Sequence, residues 1–119
     1  MKAILVDVEN GIKEIDFKDN LQFFYEQIGC DCIDIIKRSI GGREYRIVID
    51  DAGLLKGSRI SAFDKNNIPA LAGNLIICKD RIDGNLIGLN DDEIGEIRKH
   101  TGLSVDYYGT VSEVIITDY

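Results

Sequence analysis

The sequence predicts an α+β fold in which a mostly antiparallel sheet, built from hairpins, carries two packed helices. Three observations lead to this class. Short β-rich runs are separated by Asn-Gly, Gly-Gly and Asp-Gly turns, two segments combine helical apolar spacing with matching caps, and 45% of the 119 residues are apolar. A single domain over residues 1–119 accounts for this length, because no linker-like tract divides the chain.

A β-hairpin is predicted at the start of the chain. Residues 2–8 form a β-rich run without helical spacing, and residues 12–17 alternate as the returning strand. The turn between them contains Asn10-Gly11, a dipeptide that favours tight hairpins because both residues tolerate positive φ.

A helix is predicted over residues 20–28. Asp19 or Asn20 can cap its first turn, and Gly29 follows at the position where a positive φ is usual. Four large side chains recur at helical spacing and are expected to form one buried stripe: Leu21, Phe24, Tyr25 and Ile28.

A second hairpin is predicted around Gly41-Gly42. The strands on either side are residues 30–38 and residues 43–50, and the second of these alternates apolar and polar side chains. One side of that strand is therefore expected to face the core.

The three cysteines are interpreted as reduced, structural thiols. Cys30 and Cys32 form a C-x-C pair, which is the spacing of neither a zinc knuckle nor a redox motif. In an extended segment both thiols would point to one buried face. Cys78 lies in an apolar run, and His100 lies on a different predicted element. No metal site and no cofactor is therefore predicted.

Residues 47–78 form the central segment of the chain. The segment passes from an apolar strand through a glycine-containing loop into residues 71–78, the most apolar run of the sequence. A strand of this composition is expected at the centre of a sheet, buried on both faces. Gly73 interrupts the run and indicates a bulge or the close approach of another segment.

Four residues of this segment are candidates for binding a ligand or a partner: Lys56, Ser58, Arg59 and Asn74. The first three surround Gly57 and could gather around an anion together with backbone amides, or the loop could be a plain connector. Asn74 lies near the core and needs a hydrogen bond, which is either structural or made to a ligand. The order Lys-Gly-Ser differs from the phosphate-loop motif, so a nucleotide hydrolase is not predicted.

A second helix and a last strand are predicted near the end of the chain. Asn90, with Glu93 three residues later, resembles a capping box that opens a helix over residues 91–101. Gly102 is expected to end this helix, and residues 111–117 to form the last strand. Both helices are expected on one face of the sheet.

The charge of the chain restricts its partners. A formal net charge of −7, from 21 acidic and 14 basic residues, argues against direct binding of duplex nucleic acid and is compatible with a basic protein partner. No apolar run approaches the roughly 18 residues of a membrane span, and the first residues lack a secretory signal pattern. The expectation is a cytoplasmic protein that does not bind membranes.

Four motifs, MKAILVDV, DDAGLLKG, ISAFD and ALAGNLIIC, follow one another along most of the chain. In this order they resemble a family of small uncharacterised proteins from phages, plasmids and conjugative elements of Gram-positive bacteria. Some similar mobile-element proteins are anti-CRISPR inhibitors, which block RNA-guided nucleases. The resemblance therefore implies an anti-defence role, and it assigns no catalytic residue.

Two functions are expected from these observations. The first is a non-catalytic binding protein of mobile-element or phage type that binds a host protein, such as an RNA-guided nuclease of bacterial defence. The alternative is a protein that binds or sequesters a nucleotide-derived signal, with Lys56, Arg59 and the backbone around Gly57 and Gly73 holding its phosphates. An enzyme is not predicted, because no catalytic constellation is present in the sequence. The sequence predicts no oligomeric state.

Overall fold

A computed structural model describes residues 1–53 and 56–119. These residues form two helices and ten strands, which confirms the predicted α+β class. The elements are, in chain order, β1 Lys2–Asp7, β2 Gly11–Asp16, α1 Leu21–Ile28, β3 Ile33–Ile40, β4 Arg43–Asp50, β5 Ile60–Asp64, β6 Pro69–Ala72, β7 Leu75–Asp80, β8 Leu86–Ile87, α2 Asp91–Arg98, β9 Thr101–Val105 and β10 Val111–Thr117. Neither helix of this part of the chain has the length and apolar character needed to cross a membrane.

The larger sheet has the strand order β2-β1-β7-β4-β3, with the short β8 paired to the far end of β7. All of its pairings are antiparallel, and the two predicted hairpins form β1–β2 and β3–β4. β7 lies at the centre, where Ile76 is opposite Leu5 of β1 and Val48 of β4. The first four residues of β7 are fully buried, as expected for a central strand covered on both faces.

The smaller sheet has the strand order β6-β5-β10-β9. Its pairings are antiparallel except that β10 runs parallel to β5, with Ile115 opposite Ala62. The sequence predicted hairpins and strands without dividing them between two sheets. The division occurs because the chain enters the smaller sheet after β4, returns to the larger sheet at Gly73 and enters the smaller sheet again after α2.

Two hydrophobic cores lie on opposite faces of the larger sheet. On one face, α1 packs its Phe23, Phe24 and Ile28 against alternate residues of β1, β4 and β7. On the other face, the smaller sheet and Ile94 and Ile97 of α2 pack against the remaining residues of the same strands. The expectation that both helices share one face was therefore wrong, because β7 is apolar on both sides and needs cover on both.

The caps of α1 are those predicted from the sequence, but its buried face is displaced. Asn20 caps the helix by accepting a hydrogen bond of 2.7 Å from the Phe23 amide, and Gly29 ends it at φ +79°. Leu21, predicted to be buried, is 57% exposed, and Phe23 is buried instead. Phe17 explains the displacement, because its ring lies 6.3 Å from that of Phe23 in an edge-on arrangement.

The apolar run over residues 71–78 is two strands rather than the one predicted. β6 ends at Ala72 in the smaller sheet, and β7 begins at Leu75 in the larger sheet. Between them Gly73 adopts φ +85°, which a residue with a side chain rarely adopts. Of the two roles predicted for Gly73, the close approach of another segment is confirmed, because its amide donates to the Arg59 carbonyl at 2.8 Å. Gly73 separates two sheets and is not a bulge.

The second helix begins as predicted and ends earlier. Asn90 and Glu93 form the capping box, with both reciprocal hydrogen bonds at 2.8 Å. The helix ends at Arg98, and residues 101–105 form β9, so the predicted extent to residue 101 was wrong. Gly102 lies inside β9 opposite Val114, because pairing with β10 outweighs the local helix-stop pattern.

The cysteines are free thiols, with Cys30 and Cys78 buried and Cys32 exposed. The prediction of one buried face was wrong for Cys32, because β3 begins at Ile33 and the C-x-C pair precedes the regular strand. Burial raises the pKa of Cys78 to about 12, which keeps this thiol protonated and unreactive at neutral pH. Leu54 and Leu55, interpreted from the sequence as packing on the core, lie outside the described residues.

Asp118, which follows β10, closes the turn between β3 and β4. Its carboxylate accepts hydrogen bonds from the Ser39 hydroxyl at 2.6 Å and from the Gly41 and Gly42 amides at 2.9 Å. The Ser39 bond contributes most, and with the amide bonds it outweighs partial burial and holds the pKa of Asp118 below its ordinary value of 3.8. The end of the smaller sheet is thereby tied to the larger sheet.

We expect Asp118→Ala to lower the free energy of unfolding by about 1–2 kcal/mol, because two turn amides and a hydroxyl lose their acceptor. The depressed pKa means that this contribution is present above the unfolded-state pKa of about 4 and is lost as the pH falls through the lower folded-state value. Urea unfolding at several pH values measures both effects.

The matched control for Asp118→Ala is Glu44→Ala, which removes an exposed carboxylate that lies 3.6 Å from Lys37. This variant is expected to change the free energy of unfolding by less than about 0.5 kcal/mol. Equal losses in the two variants would contradict the role assigned to Asp118.

Candidate functional site

A cleft of about 460 Å³ brings together the four residues predicted as a site. Its walls are the turn after β1, the end of α1, the loop after β4 and the break between β6 and β7. The predicted residues that line it are Lys56, Ser58, Arg59 and Asn74. The structure therefore places them together, although at least 14 residues lie between Asn74 and each of the other three in the sequence.

Backbone hydrogen bonds fix the loop that carries three of these residues. The Lys56 amide donates to the Ala52 carbonyl at 2.9 Å, and the Ser58 amide donates to the Gly53 carbonyl at 3.0 Å. The Arg59 carbonyl accepts a bond of 2.8 Å from the Gly73 amide. Two of these bonds lie within the loop itself, and the third ties its end to the break between the sheets.

Asn74 has a structural hydrogen bond. Its side-chain oxygen accepts from the Val8 amide at 2.9 Å and so holds the chain after β1 against the start of β7. Of the two roles that the sequence left open for Asn74, a hydrogen bond within the protein is the one that the structure shows.

Lys56 forms an ion pair inside the cleft. Its Nζ lies 2.8 Å from Oδ2 of Asp50, while Oδ1 of Asp50 accepts from the Ala52 amide at 2.9 Å. Burial acts to raise the pKa of Asp50, but these hydrogen bonds outweigh it and hold the pKa below its ordinary value. The positive charge of Lys56 is thus already balanced by a carboxylate that stays ionised at neutral pH.

Arg59 points away from the anion site proposed for it and towards the turn between β9 and β10. One guanidinium nitrogen donates to the Thr110 carbonyl at 3.5 Å, and Nε lies 3.9 Å from Oδ2 of Asp106. The side chain therefore lies between the cleft and a second groove of about 470 Å³. Tyr107 and Tyr108 line that groove, and both rings are almost fully exposed.

Carboxylates outnumber cations along the cleft. Asp7, Glu9 and Asp50 line it beside Lys56 and Arg59. Each of the two cations lies next to a carboxylate, so the cleft offers an incoming group more negative than positive charge. This arrangement suits a cationic group better than a phosphate.

Sequence reasoning missed Asp7 and Glu9 as members of the site. Asp7 accepts hydrogen bonds from the amides of Glu9 at 2.9 Å and Asn10 at 3.1 Å. Burial acts to raise the pKa of Asp7, but bonds from the Asn10 side chain and these amides hold it below its ordinary value. Asp7 was predicted as a strand residue and Glu9 as a turn residue, because the contact between the first hairpin and the central loop has no local signature in the sequence.

The chemistry of the cleft is that of a polar binding surface. Ser58 contributes a hydroxyl group to the cleft. The single histidine of the chain, His100, lies elsewhere, beside Gly41. Within residues 1–53 and 56–119, no group of three or more His, Cys, Asp or Glu side chains is arranged to hold a metal ion.

Comparison with known proteins identifies a family match for most of the chain. Residues 1–102 match the model of a domain of unknown function, DUF3846. The matched range contains all four predicted site residues and ends within β9. No curated protein and no solved structure matches the chain.

We expect Asn74→Ala to lower the free energy of unfolding by about 1–3 kcal/mol, because the partly buried Val8 amide would lose its acceptor. Chemical denaturation followed by circular dichroism measures this change. Asn66→Ala, at an exposed position in the turn after β5, is the control and should shift the value by less than about 0.5 kcal/mol. An Asn74→Ala protein as stable as this control would disprove the role of the bond.

Proposed function

We propose that this chain, which belongs to the family of the domain of unknown function DUF3846, is a non-catalytic binding protein with an acidic docking surface for a basic host protein. The family description assigns no activity, so the proposal rests on the charge and geometry of the chain. A mobile-element or phage origin and a cytoplasmic location are part of the same proposal and follow from the resemblance and composition given above.

The observation that carries this proposal is the excess of carboxylates around the cleft. Asp50 holds Lys56, and Asp106 lies beside Arg59, while Glu9 adds an exposed negative charge at the rim. A lysine or arginine from a partner would therefore meet a surface of opposite charge. The net charge of −7 acts in the same direction over longer distances and speeds the encounter with a basic partner.

RNA-guided nucleases fit the required chemistry of the partner. Their nucleic-acid channels are positively charged, because they hold the phosphate backbones of guide and target. An acidic protein that occupies such a channel competes with the nucleic acid for the same cations. We therefore propose inhibition of an RNA-guided nuclease as the specific form of this function, with the anti-CRISPR part resting on the resemblance.

The second candidate function is binding of a nucleotide-derived signal. The convergence of Lys56, Ser58 and Arg59 on one cleft, with Gly57 at φ +71° and Gly73 at φ +85°, favours it. A phosphate entering the cleft would have to share Lys56 with Asp50 and draw Arg59 away from the Thr110 carbonyl. These competing contacts rank this function behind the first.

The proposed function predicts that the purified protein slows target cleavage by purified, guide-loaded RNA-guided nucleases of Gram-positive bacteria. Glu9→Lys should weaken inhibition roughly tenfold, because it reverses a charge at the rim of the cleft. Glu44→Lys makes the same change of charge on an exposed residue at the opposite end of β4 and should retain inhibition. Raised salt should weaken binding of the wild type.

Two results would contradict this proposal. Unaltered cleavage by every nuclease tested would exclude the specific form of the function. Equal loss of inhibition in Glu9→Lys and Glu44→Lys would mean that inhibition depends on the net charge of the protein and not on binding at the cleft.

The alternative function predicts that nucleotides raise the melting temperature of the protein in a thermal-shift screen, because a ligand stabilises the folded state that binds it. Combining Lys56→Ala with Arg59→Ala should abolish the shift. Lys65→Ala with Arg81→Ala, which removes two exposed cations in other turns, should leave it intact. A shift that survives the first pair of substitutions would place the ligand elsewhere, and no shift would reject this function.

A further inference from the structure

We propose that two copies of this chain associate through antiparallel pairing of their β9 strands. The two four-stranded sheets would then join into one continuous sheet across a twofold axis. This interface lies outside the cleft and does not depend on the function proposed for it.

β9 is an unprotected sheet edge. Sheet edges in soluble proteins carry charged residues, proline or bulges that prevent pairing with other chains. Among the described residues, β2, β3 and β6 form the other edges of the two main sheets, and each of them contains such residues. The protecting residues are Lys13, Glu14 and Asp16 in β2, Asp34, Lys37 and Arg38 in β3, and Pro69 in β6. β9, with the sequence TGLSV, has neither a charged residue nor proline.

Within the described part of the chain, alternate backbone groups of β9 have no partner strand in the sheet. The Asp106 amide donates to the Thr110 carbonyl at 3.0 Å, and the His100 carbonyl accepts from the Ile116 amide at 2.8 Å. Even-numbered positions therefore face β10. Because hydrogen-bonding groups alternate along an antiparallel strand, the amides and carbonyls of residues 101, 103 and 105 face the open edge.

One face of the β9–β10 hairpin exposes apolar side chains near the open edge. Leu103, Val105 and Val111 are 74%, 64% and 56% exposed, with Val105 directly opposite Val111. Glu113, opposite Leu103 on this face, is turned to the first hairpin, where its carboxylate accepts a hydrogen bond from the Ile12 amide at 3.2 Å. Further along β10, Ile115 on the same face is fully buried against the larger sheet. The hairpin thus extends past the edge of that sheet, and its core-facing side chains continue into solvent. A second copy placed edge to edge would extend this apolar strip across both chains.

The register that the twofold axis imposes is also compatible with the charges at the ends of β9. An axis through Leu103 places Thr101 opposite the partner's Val105, so that only the 101, 103 and 105 positions exchange backbone hydrogen bonds, roughly six in all. The same register places Asp106 opposite the partner's His100 and next to its Lys99, so a carboxylate lies near a cation just beyond each end of the paired strands. β9 itself carries no charged residue, so no like charges face each other along the pairing.

The oligomeric state of the full chain tests this proposal. Sedimentation velocity over a dilution series should show a concentration-dependent dimer, and Leu103→Lys should raise its dissociation constant at least tenfold by placing a charge at the paired edge. Leu21→Lys, at another exposed leucine, is the control and should leave the dimer intact. Added salt should strengthen dimerisation, because the repulsion between two chains of charge −7 outweighs the small contribution of exposed opposite charges at the strand ends.

A cross-linking experiment tests the register. In a Cys32→Ser background, Leu103→Cys should form a disulfide-linked dimer under mild oxidation, because residues paired across the axis have Cα atoms about 5.5 Å apart. Val105→Cys should not, because it would lie about 13 Å from its copy along the strands. Urea unfolding confirms that both variants fold. A monomer at every concentration, or cross-linking through residue 105 and not residue 103, would overturn the proposal.

Discussion

Burial of β7 on both faces is the constraint on which the rest of the structure depends. Leu75 and Ile77 face one hydrophobic core, and Ile76 and Cys78 face the other, all without solvent exposure. A strand of this kind needs cover on both sides, because exposing either side would leave large apolar surfaces in water. The helix α1 supplies one cover, and the smaller sheet with α2 supplies the other. A fold of only two layers would leave one face of β7 exposed to water.

The cleft is a consequence of how the chain enters β7. Moving from β6 to β7 requires a change of sheet within two residues, which Gly73 permits through its positive φ. The Gly73 amide then holds the Arg59 carbonyl, and the Asn74 side chain holds the Val8 amide. These two bonds bring the central loop and the first hairpin to the same place. The candidate site therefore lies where the chain passes from the smaller sheet to the larger sheet.

Local chemistry made part of this structure predictable, and long-range pairing decided the rest. Helix caps and hairpin turns carry their signal within a few residues, so Asn20, Gly29 and the Asn90 capping box could be recognised. The end of α2 could not, because β9 forms through pairing with a strand that follows it in the chain. The same distinction holds for the candidate site. The grouping of Lys56 with Ser58 and Arg59 could be predicted because they are close in the sequence. The carboxylates that make the cleft acidic, Asp7 and Glu9, come from the first hairpin and could not.

Arg59 connects the cleft with the edge proposed for dimerisation. Its side chain lines the cleft, while its guanidinium contacts the Thr110 carbonyl and lies beside Asp106 in the turn that follows β9. An occupant of the cleft that attracted Arg59 would remove these contacts from the turn. The open edge of β9 ends at that turn, so the guanidinium lies next to both the cleft and the edge. Binding in the cleft and pairing of the edge would then be energetically coupled through one residue, and such coupling is reciprocal.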